Sequence, residues 1–267
     1  MKDYLRQILA QKPDPLRKKT IAREYLQGRI LQALQETGAF LNLAFLGGTA
    51  LRFLYSLPRF SEDLDFSLIN PTRGHRFREW LQKIKSGFEA EGYSLSIKAN
   101  DKKAVCWAFL RYEGLLYELG LSSQPRERLS IKLEVDTNPP QGAGIARTII
   151  RRYVTLNLPH YDQPSLLAGK LHAVLSRKYT KGRDLYDLVW YLADRTWPAP
   201  NFVLLNSALE QTGWKGPQIT PQNWRPILKR HLSSLHWDRV AEDALPFLER
   251  PEEVALLTRE NCLSLLG

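Results

Sequence analysis

The sequence contains few of the features that mark exported or membrane proteins. Its two cysteines, Cys106 and Cys262, lie far apart and form no C-x-x-C pair, which excludes a cysteine zinc cluster and argues against a disulfide framework. The N-terminal segment has no apolar run long enough for a signal peptide, and no stretch approaches the ~20 apolar residues of a membrane helix. These absences predict a cytoplasmic protein with no membrane partner.

The sequence also lacks the short motifs of several enzyme classes. No H-x-x-x-H spacing and no G-x-S-x-G motif occur, so zinc chemistry and serine hydrolysis have no support. Neither a Walker A loop nor a Rossmann glycine motif is present. If the chain binds nucleotides, it must do so with another type of site.

The composition is that of an ordinary globular protein. The chain has 267 residues, of which 43% are hydrophobic and 25% charged, and this predicts one large or two modest domains around a real core. Residue patterns predict an α/β (α+β) fold in which a mixed sheet with flanking helices precedes a helical C-terminal region. The domain boundary is predicted near Pro159, giving domains at residues 1–158 and 159–267.

The predicted elements follow from hydrophobic periodicity and from glycine and proline signals. Helices are predicted at residues 16–37, 49–57 and 76–91, and the pattern after Pro159 is helical to the end of the chain. Strands are predicted at residues 41–46, 63–69, 93–98, 104–112, 114–121, 129–136 and 151–158.

The net charge of +10 is concentrated in one segment. Residues 144–183 carry eight basic side chains and a single acidic one, Asp162. The basic residues are Arg147, Arg151, Arg152, Lys170, Arg177, Lys178, Lys181 and Arg183. Such a cluster is typical of a surface that binds the phosphates of a polynucleotide, although a solvated basic face is an equally good explanation.

Two aspartates share one face of a predicted strand. In the segment Ser61–Phe66 the strand period of two places Asp63 and Asp65 together, opposite Leu64 and Phe66. Adjacent carboxylates repel each other unless a cation compensates them, and Mg²⁺ prefers carboxylate oxygens. The pair therefore indicates a Mg²⁺ or Mn²⁺ site, or else an ordinary exposed strand face.

A third carboxylate is predicted on the strand at residues 129–136. There Lys132, Glu134 and Asp136 alternate with apolar residues. If this strand lies beside the Asp63 strand, one of its carboxylates joins the pair, which is enough to hold the two divalent ions that phosphoryl and nucleotidyl transfer often use. Asp136 is the stronger candidate because it lies at the strand end, although Glu134 remains possible.

The segment Gly47-Gly48-Thr49 joins a predicted strand to a predicted helix. Glycines let a phosphate approach the backbone, and the N–H groups of a helix N-terminus favour an anion. The segment therefore predicts a cradle for a triphosphate, although a Gly-Gly pair is often only a turn.

Charged residues also occur on the apolar faces of two predicted C-terminal helices. Lys170 lies within the stripe formed by Leu167, Leu171 and Val174, so it points inward and needs an anionic partner, either a nucleotide phosphate or a structural carboxylate. In the next helix Asp184 and Asp187 share a face. The alternative for Asp184 is a common structural role, in which the carboxylate caps the helix or complements the dipole at its N-terminus.

Taken in order, these motifs resemble the nucleotidyltransferases of the DNA polymerase beta superfamily. More narrowly, the segments at residues 47–52 and 59–66, followed by Lys170-Leu171-His172-Ala173 and by Arg183-Asp184-Leu185-Tyr186-Asp187, resemble the AbiEii/AbiGii toxin family. The similarity extends from about Phe45 to Leu192. The spacing between Gly48 and Asp63 is slightly long for the broader superfamily.

The resemblance implies transfer of a nucleoside monophosphate from an NTP to an acceptor hydroxyl by a type IV toxin–antitoxin or abortive-infection toxin. Asp63, Asp65 and Asp136 would hold the metal, Lys170 and Asp187 would act in catalysis, and Arg52, Arg183 and Asp184 would join the glycine segment in binding the nucleotide. The implied partners are a tRNA or other RNA acceptor and a cognate antitoxin. The alternatives are a small-molecule, antibiotic-type nucleotidyltransferase and a non-catalytic RNA-binding regulatory module.

Overall fold

The computed structural model describes residues 2–11, 14–71 and 75–267. The chain forms two compact units. The first unit contains Met1–Leu54, Ser61–Asn138 and Arg147–His160. The second unit contains Tyr55–Phe60, Pro139–Ala146 and Tyr161–Gly267, so it includes two short segments from before the predicted boundary at residue 159.

Within the described residues, seven strands form one mixed sheet in the order β3-β4-β5-β2-β1-β7-β6. The central pair β2 and β5 is parallel, whereas β1 pairs with β2 and β4 pairs with both β3 and β5 in antiparallel fashion. The strands are β1 (Leu43–Leu46), β2 (Leu64–Leu68), β3 (Leu95–Asn100), β4 (Val105–Tyr112), β5 (Leu129–Asp136), β6 (Ile145–Arg151) and β7 (Thr155–Tyr161).

Two long helices of the first unit pack against this sheet. In β5, Ile131, Leu133 and Val135 are buried, as their alternation with polar residues predicts. The helix at Pro15–Glu36 contacts β5, and the helix at Phe77–Ala90 contacts β3. The helices up to residue 118 are α1 (Lys2–Ala10), α2 (Pro15–Glu36), α3 (Gly47–Tyr55), α4 (Phe77–Ala90) and α5 (Leu115–Glu118).

Two of the predicted strands are wrong in type or position. Residues 114–121 do not form a strand, because Gly114 adopts a left-handed conformation with φ 66° and starts the short helix α5. The strand predicted at residues 151–158 is instead the later strand β7. The preceding strand β6 was not predicted, because its side chains show no alternation between buried and exposed positions.

The second unit is helical, and together with the mixed sheet it confirms the predicted fold class. Asp162 caps the first of its long helices by accepting a hydrogen bond from the Ser165 backbone N–H at 2.9 Å. Among the described residues, no helix is both long enough and apolar enough to cross a membrane. The helices are α6 (Gln163–Ser176), α7 (Gly182–Ala193), α8 (Phe202–Gln211), α9 (Trp224–Ser233), α10 (Trp237–Ala244) and α11 (Arg259–Ser264).

Candidate active site

The Gly-Gly segment brings a carboxylate to the beginning of a helix. Strand β1 ends at Leu46, which pairs with Asp65 of β2, and helix α3 begins at the next residue, Gly47. Gly47 has φ 81°, and a Cβ atom added there would lie 2.5 Å from Oδ2 of Asp65. The Asp65 carboxylate therefore occupies the space that any side chain at position 47 would need, beside the N-terminal turn of α3.

Thr49 fixes the chain that leads into strand β2. Its side chain is fully buried, and its hydroxyl donates a hydrogen bond to the backbone carbonyl of Asp63. Gln27 of α2 donates a second hydrogen bond, of 3.0 Å, to the carbonyl of Ser61. The Thr49 hydroxyl thus positions Asp63, and the predicted contact of residues 47–49 with a triphosphate depends on their backbone N–H groups.

The register of the parallel pair β2 and β5 decides which carboxylates are neighbours. Asp65 lies opposite Glu134, whereas Asp136 lies opposite Ser67, which is two residues further along both strands. Two residues along a strand correspond to roughly 6.6 Å. Glu134 is therefore the nearer neighbour of Asp65, and it becomes a stronger candidate for a third carboxylate than the predicted Asp136.

These carboxylates suit a metal ion that binds together with a phosphate-bearing substrate. Among the described residues, no group of three or more His, Cys, Asp or Glu side chains is arranged to hold a metal ion. Mg²⁺, however, is commonly held by only one or two protein carboxylates, with water and substrate phosphates completing its coordination. Asp65, beside the turn at Gly47, and Asp63, which directly precedes β2, fit that pattern.

Asp136 lies at the end of β5 in a partly buried position. Burial raises the pKa of Asp136 above 3.8, although a hydrogen bond of 2.9 Å from the Asn138 backbone N–H partly opposes the shift. Asp136 therefore holds a proton more readily than an exposed aspartate does.

Arg52, predicted to bind the nucleotide, belongs to a buried network in the first unit. Its side chain donates a hydrogen bond to Glu24, and both side chains are at most 5% exposed. Glu24 also accepts hydrogen bonds from Arg152 at 3.0 Å and from the Tyr153 hydroxyl at 2.7 Å. Arg52 therefore joins α2 to α3 within the first unit, and its contact with a nucleotide stays a prediction.

A second charged cluster lies within the second unit. Lys170 of α6 is only 12% exposed, and its ammonium lies 3.1 Å from Asp184 and 2.7 Å from Asp187 of α7. Arg59 binds both carboxylate oxygens of Asp187, at 2.5 and 2.6 Å, and Arg177 pairs with Asp184. The helical stripe correctly predicted that Lys170 points inward, and its partners here are the two carboxylates.

Opposite charges within this cluster favour the ionised forms of Lys170 and Asp184. Burial opposes ionisation of Lys170, but Asp187 and Asp184 outweigh that effect and raise its pKa above 10.5. Burial likewise disfavours the Asp184 carboxylate, yet Lys170 and Arg177 lower its pKa below 3.8. With three cations and two carboxylates, the cluster carries a net positive charge, which suits it to an additional anion.

The structure reveals two residues of these networks, Arg59 and Glu24, for which no role was predicted from the sequence. Arg59 lies inside the motif that contains Asp63 and Asp65, but nothing in its neighbourhood identifies Asp187 as its partner. Glu24 lies on the apolar stripe of α2, three residues after Ile21 and next to Tyr25. The signal that identified Lys170, a charge on an apolar helix face, could also have identified Glu24.

The basic segment at residues 144–183 divides into engaged and exposed side chains. Arg152, Lys170 and Arg177 form ion pairs, and the guanidinium of Arg183 lies 4.0 Å from the ring centroid of Phe247. The remaining four have no ion-pair partner among the residues that the structure describes, and all are exposed: Arg147, Arg151, Lys178 and Lys181. Four of the eight basic side chains of this segment are therefore available to an anion from outside the protein.

The fold is that of nucleotidyltransferases. A crystal structure of a protein from H. pylori, described as a candidate nucleotidyltransferase, matches with a TM-score of 0.55 and 21% identity over 92% of this chain and 94% of that chain. The crystal structure of JHP933 from Helicobacter pylori matches with a TM-score of 0.51 and 22% identity over 92% and 91% of the two chains. No curated protein matches the chain significantly.

The profile of the family "Nucleotidyl transferase AbiEii toxin, Type IV TA system" matches residues 29–259. The chain therefore belongs to the AbiEii nucleotidyltransferase toxin family. This match confirms the resemblance predicted from the sequence motifs, and it identifies the chain as a nucleotidyltransferase.

Proposed function

We propose that the protein transfers a nucleoside monophosphate from an NTP to a hydroxyl group of an RNA, with tRNA as the favoured acceptor. The acceptor oxygen forms a bond to the α-phosphorus, the bond between that phosphorus and the bridging oxygen breaks, and pyrophosphate leaves. The observation that carries this proposal is the contact of Asp65 with Gly47 at the start of α3.

This contact joins the two parts that nucleotidyl transfer needs. Backbone N–H groups at the beginning of a helix bind phosphate oxygens, and glycine at positions 47 and 48 puts no side chain between those groups of α3 and a phosphate. Asp63 and Asp65 would hold Mg²⁺ or Mn²⁺, which neutralises charge on the triphosphate and activates the attacking oxygen. Asp136 or its neighbour Glu134 on β5 would supply the third carboxylate of this metal site.

The family motif in the second unit supplies further proposed roles. Lys170 would neutralise charge that develops on the phosphates, and Asp187 would act with it in catalysis. Arg183 and Asp184 would contribute to nucleotide binding. These four assignments follow from the match to the family motif, and the ion pairs of Lys170 explain how its charge is maintained in a buried position.

RNA is favoured as the acceptor by the charge of the protein. The net charge of +10 and the exposed cations Arg147, Arg151, Lys178 and Lys181 suit a polyanion, whereas a cationic antibiotic would select an acidic surface. As a toxin that modifies RNA, the protein would act in the cytoplasm and be opposed by a cognate antitoxin.

The proposal is tested by incubating the purified protein with total RNA, Mg²⁺ and each of the α-³²P-labelled NTPs in turn. We expect label from a preferred NTP to enter the tRNA fraction, and we expect EDTA or the Asp65→Asn variant to abolish incorporation. The matched control is Asp101→Asn, a carboxylate that pairs with Arg78 instead. Incorporation into a small molecule, or no incorporation by the wild type, would contradict the proposal.

A further inference from the structure

One face of the sheet in the first unit is incompletely covered. Along β4, alternate residues are buried beneath the helices, while Trp107, Phe109 and Arg111 on the other face stay partly exposed. On the neighbouring strands, Lys98 of β3 and Lys132 of β5 extend the same face. We call these five residues the aromatic-basic face.

The strand register places this face directly beside the candidate metal ligands. Phe109 lies between Lys98 on one side and Lys132 on the other. In the next row, Trp107 lies opposite Glu134, which in turn lies opposite Asp65. Neighbouring strands are about 4.8 Å apart, so Trp107 is roughly 10 Å from Asp65, within the reach of a short single strand of nucleic acid.

The aromatic rings of this face are accompanied by cations. The ring centroids of Trp107 and Phe109 are 5.5 Å apart, and the Arg111 guanidinium and the Lys132 ammonium lie 5.8 and 6.0 Å from the Phe109 centroid. Lys132 also pairs with Glu134 at 2.8 Å. Within the described part of the chain, neither Lys98 nor Arg111 has an ion-pair partner, so both can meet an incoming anion.

We propose that the aromatic-basic face binds the single-stranded end of the RNA acceptor. Unstacked bases would stack on Trp107 and Phe109, and the phosphates between them would contact Lys98, Arg111 and Lys132. This inference rests on the proposed function, because the face leads to Asp65. A duplex is a poor ligand here, since its bases are already stacked on each other.

The aromatic contribution is tested with the double variant Trp107→Leu/Phe109→Leu and a short fluorescent single-stranded oligoribonucleotide. Binding is measured in EDTA without NTP, so the result does not depend on transfer activity. Stacking on an aromatic ring implies a loss of at least about fivefold in affinity for each ring removed. The control is Tyr117→Leu, an aromatic residue of α5 that is 54% exposed and lies outside the face, and it should bind like the wild type.

One further variant and one further ligand separate loss of stacking from loss of the fold. Phe109→Tyr keeps an aromatic ring and should keep most of the affinity for the single strand. The same sequence offered as a duplex should bind the wild type and the double variant equally. Thermal unfolding of each variant shows whether the sheet is intact.

The ionic contribution is tested through the salt dependence of binding. Lys98→Ala and Arg111→Ala should each reduce the slope of log affinity against log salt by about 0.7. Lys83→Ala, which removes an exposed cation from α4, should leave the slope unchanged. Equal slopes for all three variants would overturn the proposed phosphate contacts.

The results distinguish this inference from the proposed function. If the wild type transfers nucleotides to RNA but the double variant keeps the same KM for RNA, the proposed RNA binding by the aromatic-basic face is wrong, whereas the proposed function is retained. If the aromatic-basic face binds RNA but no RNA is ever labelled, the proposed function is wrong, whereas the proposed RNA binding by the face is retained. A loss of NTP affinity without a loss of RNA affinity would mean that the face holds the base of the NTP, and this would overturn the inference.

Discussion

The carboxylate of Asp65 lies where a side chain at position 47 would be, 2.5 Å from the Cβ atom that Gly47 lacks. Two separate constraints therefore require glycine at this position. The backbone has a left-handed φ of 81°, and the carboxylate that is proposed to bind metal fills the neighbouring space. Gly47 serves both the turn from β1 to α3 and the placement of Asp65.

We expect Gly47→Ala to destabilise the protein by about 1–3 kcal/mol, because the new methyl group meets Asp65 and the φ angle is strained for alanine. Nucleotide transfer should fall with it, since Asp65 must move. Urea unfolding and the transfer assay measure the two effects. Gly87→Ala in α4 is the control, because a Cβ atom there meets nothing within 4 Å, and it should stabilise the protein slightly. Equal stability of the two variants would contradict this interpretation.

The ionisation of Asp184 predicts a loss of stability in acid. Burial raises the pKa of Asp184, but Lys170 and Arg177 lower it by more, so its pKa in the folded protein is below the value of 3.8 expected when unfolded. Its contribution to the free energy of unfolding is present above that value and is lost as the pH falls through the lower, folded pKa. Asp184→Asn should flatten the pH dependence of stability in this window. Asp238→Asn, an exposed carboxylate of α10, should leave the wild-type profile unchanged.

Removing the cation from the Lys170 cluster should cost more than removing an exposed one. Lys170→Met leaves Asp184 and Asp187 with one partner fewer in a buried position, and we expect a loss of about 3–5 kcal/mol in the free energy of unfolding. Lys178→Met, at an exposed position, should change it by less than about 0.5 kcal/mol. Urea unfolding measures both, and NTP titrations of the folded variants test the proposed role of Lys170. Equal effects of Lys170→Met and Lys178→Met on NTP affinity would show that the position of Lys170 on the apolar face of α6 does not identify a nucleotide-binding residue.

Two adjacent arginines should respond differently to charge reversal. Arg152 pairs with buried Glu24 and donates a 3.0 Å hydrogen bond to the Arg52 carbonyl, so Arg152→Glu should destabilise the protein by about 1–3 kcal/mol. Arg151 is exposed on β6, and Arg151→Glu should have little effect on stability. Thermal unfolding distinguishes the two, and similar melting temperatures would contradict the role given to Arg152.

The exposed cations of β6 provide a separate test of RNA binding. The variant Arg147→Glu/Arg151→Glu should flatten the salt dependence of binding to single-stranded RNA by about 0.7 for each lost phosphate contact. NTP affinity should not change, because neither residue belongs to a family motif. An unchanged slope would show that β6 does not contact RNA and would leave the aromatic-basic face and the exposed lysines Lys178 and Lys181 as the proposed RNA contacts.

The sequence by itself determined the parts of this protein that depend on local periodicity. The alternation in β5 predicted its bounds and its buried residues, and the stripe on α6 predicted that Lys170 points inward. The order of glycines, carboxylates, lysine and the R-D-x-x-D segment identified the nucleotidyltransferase family. In each case the residues that carry the pattern are close in the chain, so the period of a helix or strand fixes their relation.

Only the tertiary structure decided which distant residues meet. The register of β2 against β5 placed Glu134 beside Asp65, and no local pattern distinguishes this register from one shifted by two residues, because such a shift keeps every side chain on its face. The partner of Arg59 is 128 positions away, as is the partner of Arg152. Such pairs depend on how whole elements pack, because burying a charge is favourable only when its partner is brought to the same place.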